Sequence, residues 1–324
     1  MSCHRWMPIG VAIAMLSQLA FAATAAAQVQ AMPPSTAAAD PTPGVYGGLG
    51  TAAPVQPPPN GEIRIPGYPQ PEDDWTWQLL PTGIIWKSYL ANAEDSRMGG
   101  ELVYQKNEGW LIDGSLGGRI GILRYGTENA AWPEGFELDV EGAAFPRLQL
   151  DPELLIGMDY RIGVPLTYRR GPWEFKLAYQ HECSHLGDGY VEENPDVTRI
   201  SYIRDAVVLG VGYRPFPGVR IYGEVGYGFF VDGGTEPWDI QFGAEYSPVE
   251  YSGFSGSPFL AVNTRLRQEL NFGGSFTAEA GWQWRNKTGQ LMRTGLFYFN
   301  GSSNLFQFYQ TFENQIGVGL WYDF

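Results

Sequence analysis

The sequence predicts an all-β fold, an antiparallel up-and-down transmembrane β-barrel of about twelve strands. Apolar and polar residues alternate over many stretches of about 10 to 17 residues, longer than the roughly 5 or 6 of a globular strand. After an N-terminal apolar run, no stretch approaches the roughly 18 apolar residues of a membrane helix. The 42 Gly, 18 Phe, 18 Tyr and 11 Trp suit a curved barrel with aromatic residues at both membrane interfaces.

The first 27 residues predict a secretory signal peptide (1–27). Arg5 gives a short positive region, an apolar run follows at 11–23, and an Ala-rich site ends at Ala27. The precursor is therefore expected to leave the cytoplasm. Cys3 is removed with such a peptide, which leaves Cys183 as the only cysteine of the mature chain and excludes an intramolecular disulfide.

Residues 28–74 are rich in proline and have almost no apolar periodicity. Such a segment buries too little apolar surface to offset its ordering entropy, so we expect an extended, disordered tether. An inert spacer and a segment with a binding role both fit this composition. The net charge of -14 provides no basic stripe for phosphates, so no nucleic-acid partner is expected.

Residues 75–97 read as ordered sequence, but Pro81 and Gly83 interrupt it. Three interpretations stay open for this segment: a periplasmic lead-in, a plug, or part of a first strand that runs on to Tyr104. Strand patterns then repeat through the predicted barrel domain (98–324), at 98–106, 110–123, 135–145, 153–169, 172–184, 203–214, 218–231, 237–247, 257–268, 271–285, 289–300 and 313–324.

The alternation is clearest in two of these stretches. In 153–169 the side chains of Leu154 and every second residue to Tyr168 are apolar, and Gly, Asp, Arg and Thr fill most positions between them. In 218–231 the apolar set includes Val219 and Phe229. A soluble β-sandwich also alternates, but strand length and the aromatic residues near strand ends favour a membrane barrel.

Turn lengths assign the two ends of the barrel. An even strand count puts both chain ends in the periplasm, and the short connections at 170–171, 215–217 and 286–288 then lie on that side. The long connection at 185–202 lies outside. Inward positions carry both charge signs, so we predict a lumen filled by salt bridges, and a narrow porin remains an alternative.

The stretch 314–324 resembles the closing strand of bacterial outer-membrane barrels. Apolar residues stand at alternate positions from Ile316 and the chain stops on the aromatic Phe324. The resemblance implies an outer-membrane location, contact with outer-membrane lipid, and recognition of Phe324 by the barrel-assembly machinery. We expect a monomer.

The stretch 179–188 holds the residues best suited to chemistry. His181, Cys183 and His185 lie within five residues of one another. The alternation places Tyr179, His181 and Cys183 towards lipid and Ser184 towards the lumen. An imidazole two positions from a thiol on the same face can act as its general base, and Ser184 is a second candidate nucleophile.

Two other interpretations of this stretch remain open. In the first, Tyr179 and His181 belong to an interfacial aromatic belt and Cys183 is a small apolar filler. In the second, it is a metal site, with His181 and His185 as ligands of a transition metal or loop carboxylates as ligands of Ca²⁺. No other cofactor is expected. The acidic residues that would bind calcium are Asp188, Glu192, Glu193 and Asp196.

The same stretch resembles outer-membrane phospholipase A, a twelve-stranded family with Tyr-x-His-x-Ser-Asn-Gly on the outward face of a strand. The resemblance implies a lipid hydrolase with His181 as base and Cys183 as nucleophile. Cys183, Ser184 and His185 replace the Ser, Asn and Gly of the motif. The family's orienting residue falls on Pro195, so Asn194 or Asp196 would take its role.

A broader resemblance covers roughly residues 75–324. The turn from Leu80 to Gly83, the stretch 87–91 with Ser96 and Arg97 behind it, and the run 184–188 resemble an uncharacterised family of unknown function, common among planctomycete-type bacteria. It implies one envelope domain and no activity. We therefore expect a structural or transport-related barrel, with a phospholipase- or deacylase-like lipid hydrolase and a narrow porin as alternatives.

Overall fold

The computed structural model describes residues 74–106 and 108–324 of the chain. The predicted signal peptide (1–27) and all but the last residue of the predicted tether (28–74) lie outside these residues. No helix within the described part is long and apolar enough to cross a membrane.

Thirteen strands lie within the described residues, and twelve of them correspond to the predicted stretches. Among the described residues, helical structure is limited to α1 (Asp188–Glu193) and the 3₁₀ turns Gln268–Leu270 and Phe306–Phe308. The strands are β1 (Thr76–Leu79), β2 (Met98–Gln105), β3 (Gly109–Gly126), β4 (Gly135–Leu150), β5 (Glu153–Arg170), β6 (Trp173–Leu186), β7 (Ile203–Phe216), β8 (Val219–Asp232), β9 (Trp238–Tyr246), β10 (Ser257–Arg267), β11 (Gly273–Arg285), β12 (Leu291–Ser302) and β13 (Phe312–Asp323).

Strands β2 to β13 form a closed antiparallel ring. Each strand pairs with the next along the chain, and β13 pairs with β2 from Gln315 opposite Gln105 to Tyr322 opposite Met98. The predicted twelve-stranded up-and-down barrel is therefore confirmed. Closure leaves no open edge among these twelve strands, as lipid surroundings require. We call the end where β1 begins and β13 ends the proximal end, and the opposite end the distal end.

The wall is apolar outside and polar inside. Along β6, Trp173, Phe175 and Leu177 are exposed, whereas Glu174 and Lys176 between them are buried in the lumen. A soluble sandwich would bury the apolar set instead, because soluble proteins rarely expose large apolar patches. Apolar side chains that face outward thus alternate with polar side chains that face the lumen, as in barrels of the outer-membrane type.

Aromatic side chains gather on the outside of the proximal end. The ring of Trp75 contacts Tyr125, Phe136 and Tyr168 at centroid distances of 5.6 to 6.5 Å, and Trp173 contacts Tyr213 at 4.6 Å. Such rings combine an apolar body with a polar tip and favour the level of the lipid headgroups. The cluster marks one membrane interface.

Strands β1 and β2 share one edge of β3. Thr76–Leu79 pairs with the end of β3 at residues 123–126, and Met98–Gln105 pairs with its start at residues 109–116. The backbone N–H of Leu80 donates to Ile122 (3.0 Å), and the carbonyl of Arg97 accepts from Gly117 (2.8 Å). Between these two bonds the chain leaves the wall and runs through the lumen. We call residues 81–96 the lumen segment.

The turn into the lumen depends on Gly83. Its φ of +76° is a conformation that favours glycine, and an added Cβ would collide with the carbonyl oxygen of Ala130. Arg124 of β3 donates to the carbonyl of Gly83 at 2.9 Å. The residues that interrupt the strand pattern therefore direct the chain inward.

Wall arginines satisfy the irregular backbone of the lumen segment. Arg119 donates to the carbonyl of Trp86 (2.6 Å) and Arg220 to that of Lys87 (2.9 Å). Arg293 donates to the carbonyl of Leu90 (3.2 Å). Non-helical backbone at membrane depth is tolerated only where it is buried in protein with its polar groups paired, and these guanidinium groups provide that pairing.

Tyr89 fixes the middle of the lumen segment. Its ring stacks on Tyr222 of β8 at 3.8 Å, and its hydroxyl donates to Glu224 at 2.7 Å. The next backbone N–H, from Leu90, donates to Glu245 at 3.1 Å. Glu94 then forms an ion pair with Arg265 of β10. The segment is thus attached to strands on several sides of the barrel.

Ion-pair networks fill the remaining lumen. Glu174 is buried among Arg169, Arg214 (2.5 Å) and Arg220 (3.0 Å). Glu182 is surrounded in the same way, by Arg161 (2.9 Å), Arg204 (3.7 Å) and Arg265 (3.2 Å). Two cavities at opposite ends hold about 30 Å³ each, space for one or two water molecules. The predicted filled lumen is confirmed.

We predict that Arg293→Met lowers the free energy of unfolding by about 3–5 kcal/mol, because it leaves Glu279 (2.5 Å) and Asp323 (2.7 Å) as buried carboxylates that have lost their shared partner. Urea unfolding of the barrel in phospholipid vesicles measures this change. Arg199→Met is the matched control, since its pair with Asp188 is exposed and should contribute less than about 1 kcal/mol. Equal losses in the two variants would contradict the prediction.

Candidate functional site

A polar cluster of Tyr179, His181 and Asp205, which we call the outer-face cluster, lies on the outer face near the distal end of β6 and β7. The register places His181 of β6 opposite Asp205 of β7. Nδ1 of His181 lies 2.8 Å from Oδ1 of Asp205, and the hydroxyl of Tyr179 donates to the same oxygen at 2.6 Å. The side chains of His181 and Asp205 are 28% and 21% exposed, so the carboxylate is accessible on an otherwise apolar surface.

This arrangement sets the orientation of the imidazole. With the carboxylate of Asp205 as acceptor, the tautomer that fits has the proton of His181 on Nδ1 and leaves Nε2 with a lone pair. A base held by a carboxylate in this way is the arrangement that activates a nucleophile in acyl-transfer enzymes.

Cys183 follows His181 on the same face of β6, as the alternation predicted. It lies opposite Tyr160 of β5 and Ile203 of β7 and is 7% exposed. The ring of His185 contacts Tyr160 edge-on at 5.9 Å. The thiol therefore lies beneath neighbouring side chains.

Ser184 lies on the opposite face of β6, within the lumen. Its hydroxyl donates to Asp159 of β5, whose other oxygen accepts from the backbone N–H of Phe306 (2.9 Å). Gln307 donates to the carbonyl of Ser184 at 2.9 Å. Ser184 thus helps to close the distal end of the lumen, and it does not lie on the face where His181 would need a nucleophile. The pairing of His181 with Ser184 stays a prediction, and this placement does not favour it.

Asp205 is the carboxylate that lies against His181. The resemblance to the phospholipase motif had instead suggested Asn194 or Asp196 as the residue that orients the histidine. Those two residues lie beyond α1 in the distal connection, where the Asn194 side chain donates to the carbonyl of Tyr190 (2.9 Å) and Asp196 is exposed. The signal for Asp205 was present in β7. It is a carboxylate at an outward position between the apolar Ile203 and Val207.

The four acidic residues proposed for calcium lie in and around α1 and are separate from the outer-face cluster. Asp188 pairs with Arg199 at 2.8 Å, and Glu192, Glu193 and Asp196 are exposed. Within residues 74–106 and 108–324, no group of three or more His, Cys, Asp or Glu side chains is placed to hold a metal ion. Calcium binding by these residues stays a prediction.

Comparison with known proteins places the described part of the chain in a family. The model of a family described as protein of unknown function (DUF1207) matches residues 76–324. No curated protein matches the chain. The family resemblance read from residues 80–97 and 184–188 is therefore confirmed, and it brings no activity with it.

Solved structures of outer-membrane barrels are similar to this chain in outline. Outer membrane phospholipase A from Escherichia coli is 11% identical, with 70% of this chain and 91% of that chain covered and a TM-score of 0.46. The Salmonella typhi outer membrane phospholipase dimer with bound calcium is 12% identical (70% and 89% covered, TM-score 0.44). A triple-mutant Rhodopseudomonas blastica porin is 11% identical (71% and 98% covered, TM-score 0.32). We assign no activity from similarities of this size.

We predict that Asp205→Leu alone lowers the free energy of unfolding by about 1–3 kcal/mol, because Tyr179 and His181 lose their acceptor at a lipid-facing surface. Combining it with Tyr179→Phe and His181→Leu should restore the stability to the wild-type value or above it, since no polar group is then left without a partner. Urea unfolding of both variants in vesicles is the measurement. A triple variant less stable than the single one would contradict this account.

Proposed function

We propose that this chain, which belongs to the DUF1207 family of proteins of unknown function, is a closed outer-membrane barrel with a structural role rather than a pore. The observation that carries this proposal is the lumen segment (81–96). Its backbone accepts from Arg119, Arg220 and Arg293, which come from β3, β8 and β12. A solute path along the barrel axis would have to break these bonds.

The location and partners form part of the same proposal. The apolar outer face and the aromatic cluster at the proximal end support placement in the outer membrane, in contact with its lipid. Export would use the signal peptide at residues 1–27. The barrel-assembly machinery would recognise the closing strand through Phe324, with the proximal end in the periplasm. The barrel would act as a monomer without a nucleic-acid partner.

We expect wild-type protein in a planar lipid bilayer to show no conductance steps. The informative variant replaces residues 81–96 by four residues. These four residues would pair with residues 118–121 of β3 and join β1 to β2 as one continuous strand, between the bonds that Leu80 and Arg97 make to β3. It should conduct, because it removes the backbone that crosses the lumen. A wild-type barrel with regular conductance steps would favour the narrow porin instead.

A second candidate function is hydrolysis of lipid esters or amides at the distal rim. The specific observation in its favour is the bond between His181 and Asp205, on the same face as Cys183. In this proposal Nε2 of His181 takes the thiol proton and the Cys183 sulfur attacks the acyl carbonyl. The lipid alcohol or amine leaves with that proton, and water then hydrolyses the thioester to a fatty acid.

For this candidate we expect fatty acid release from phospholipid or lipopolysaccharide by the wild-type protein. His181→Ala should lower the rate by about 10²–10⁴-fold through loss of the base, Cys183→Ala should abolish it, and Asp205→Asn should lower it by at least about tenfold. Ser184→Ala is the matched control, because its side chain faces the lumen, and should retain activity.

The same assay with and without Ca²⁺ tests the acidic residues. Stimulation that is lost with Glu192→Gln and Glu193→Gln would support a calcium site there. Equal fatty acid release by wild type, His181→Ala and Cys183→Ala would remove the hydrolase candidate, and the closed barrel would remain.

A further inference from the structure

The connection between β9 and β10 folds back against the outside of the barrel wall. It spans residues 247–256, which we call the proximal loop, since β9 ends and β10 begins at the proximal end. The indole N–H of Trp282 donates to the carbonyl of Ser255 at 2.8 Å, and the indole N–H of Trp284 donates to the carbonyl of Phe254 at 3.1 Å. Two tryptophans of β11 therefore hold the loop.

Both tryptophans belong to the lipid-facing side of β11. They lie on either side of Gln283, which is buried in the lumen, and the alternation along the strand turns their side chains outward. An indole N–H on an apolar surface needs an acceptor, because lipid tails offer none. The proximal loop supplies these acceptors, so its backbone lies on the outer face, where Trp side chains favour the membrane interface.

Local contacts give the proximal loop a defined shape. The backbone N–H of Ser252 donates to the carbonyl of Arg285 (3.2 Å), and the hydroxyl of Ser252 accepts from the backbone N–H of Arg285 (2.8 Å). Gly256 has a φ of +66°, a conformation that favours glycine, and an added Cβ there would collide with the indole nitrogen of Trp282. The loop is thus fixed on both sides of Phe254.

Phe254, at the tip of the loop, is fully exposed. Trp282 on the adjacent wall is 43% exposed, as expected for a side chain that packs between its neighbours and presents one side to lipid. The Phe254 ring stands clear of the wall, and Tyr251 of the same loop is 58% exposed. Contact of such rings with water is unfavourable, and an apolar patch of this kind marks a contact with lipid or with a partner protein.

The charge on this surface is low. Glu250 and Lys287 are the exposed charged side chains of the loop and of the neighbouring turn (286–290), and they are opposite in sign. The Nζ atom of Lys287 lies 5.6 Å from the centre of the Tyr251 ring, which places the cation beside an aromatic face. A strongly acidic or basic protein would find no complementary charge here, whereas aromatic rings with balanced charges suit the zone between lipid headgroups and acyl chains.

We propose that the proximal loop is a membrane anchor, with Phe254 inserted between phospholipids of the leaflet at the proximal end. The ring would lie at the level of the glycerol groups and the upper part of the acyl chains. Lipid is the occupant because the patch is continuous, through Trp282 and Trp284, with the apolar outer wall. This inference rests on the proposed placement of the barrel in a membrane and adds a second contact with its interface.

The anchor lies across the barrel from the aromatic cluster around Trp75. Trp75 contacts Tyr168 of β5, and β11 lies six strands from β5 in either direction around the ring of twelve. The proximal end is then held at the interface on two opposite sides. Contacts on opposite sides restrain the angle between the barrel axis and the bilayer.

Quenching by nitroxide-labelled phospholipids tests the anchor, with the barrel folded into phosphatidylcholine vesicles. Residues 28–324 with Cys183→Ala contain no cysteine, so Phe254→Cys can carry a single fluorescent probe. We expect a nitroxide near the glycerol end of the acyl chain to quench this probe at least about twofold more than a probe at Glu128→Cys. Glu128 is the matched control, because it is exposed in the β3–β4 connection at the same end.

A third probe, at Leu296→Cys, reports on insertion of the barrel itself. Leu296 lies in the middle of β12 on the outer face and is 64% exposed, so a nitroxide deep in the acyl chain should quench it. Absence of this quenching would contradict the proposed placement in a membrane. Quenching at Leu296 together with equal, weak quenching at Phe254 and Glu128 would leave that placement intact and overturn the anchor.

Discussion

The pairing of β13 with β2 is the constraint on which the rest of the molecule depends. A sheet surrounded by lipid has no water to satisfy its edges, so every strand must have two neighbours. Eight residue pairs, from Gln315 and Gln105 to Tyr322 and Met98, provide the last of these contacts. Once the ring is closed, its polar inner face must be satisfied from within. The crowded ion pairs around Glu174 and Glu182, and the arginines bound to the lumen segment, follow from that requirement.

Most of the wall could be predicted because its determinants are local. Each strand carries its own alternation, because one side of the wall faces lipid and the other side faces a polar lumen. The lumen segment offers no such period. Its backbone is fixed by Arg119, Arg220 and Arg293, which lie 33, 133 and 203 residues away along the chain. Only the finished barrel brings these groups together, which is why three interpretations of residues 75–97 stayed open.

The outer-face cluster also combines features that the sequence could predict with one that it could not. Parity along β6 correctly predicted that His181 and Cys183 face outward and that Ser184 faces the lumen. The partner of His181 could not be found by spacing from a family motif, because the register between β6 and β7 is set across the connection that contains α1. Asp205 was recognisable as a charge at a lipid-facing position, a costly placement that its bonds to His181 and Tyr179 now explain.

The lumen segment also constrains the order in which the molecule is assembled. It precedes β2 in the chain, yet its Leu90 is bonded to Arg293 of β12. Arg97, directly after the segment, is paired with Asp323 at the end of β13. These contacts form only when the final strands arrive, and contacts between distant residues are slow to form. The segment must already lie inside the curling sheet when its two edges meet, since the closed wall leaves little room to thread it afterwards. We therefore expect the barrel to close around the lumen segment rather than to admit it after closure.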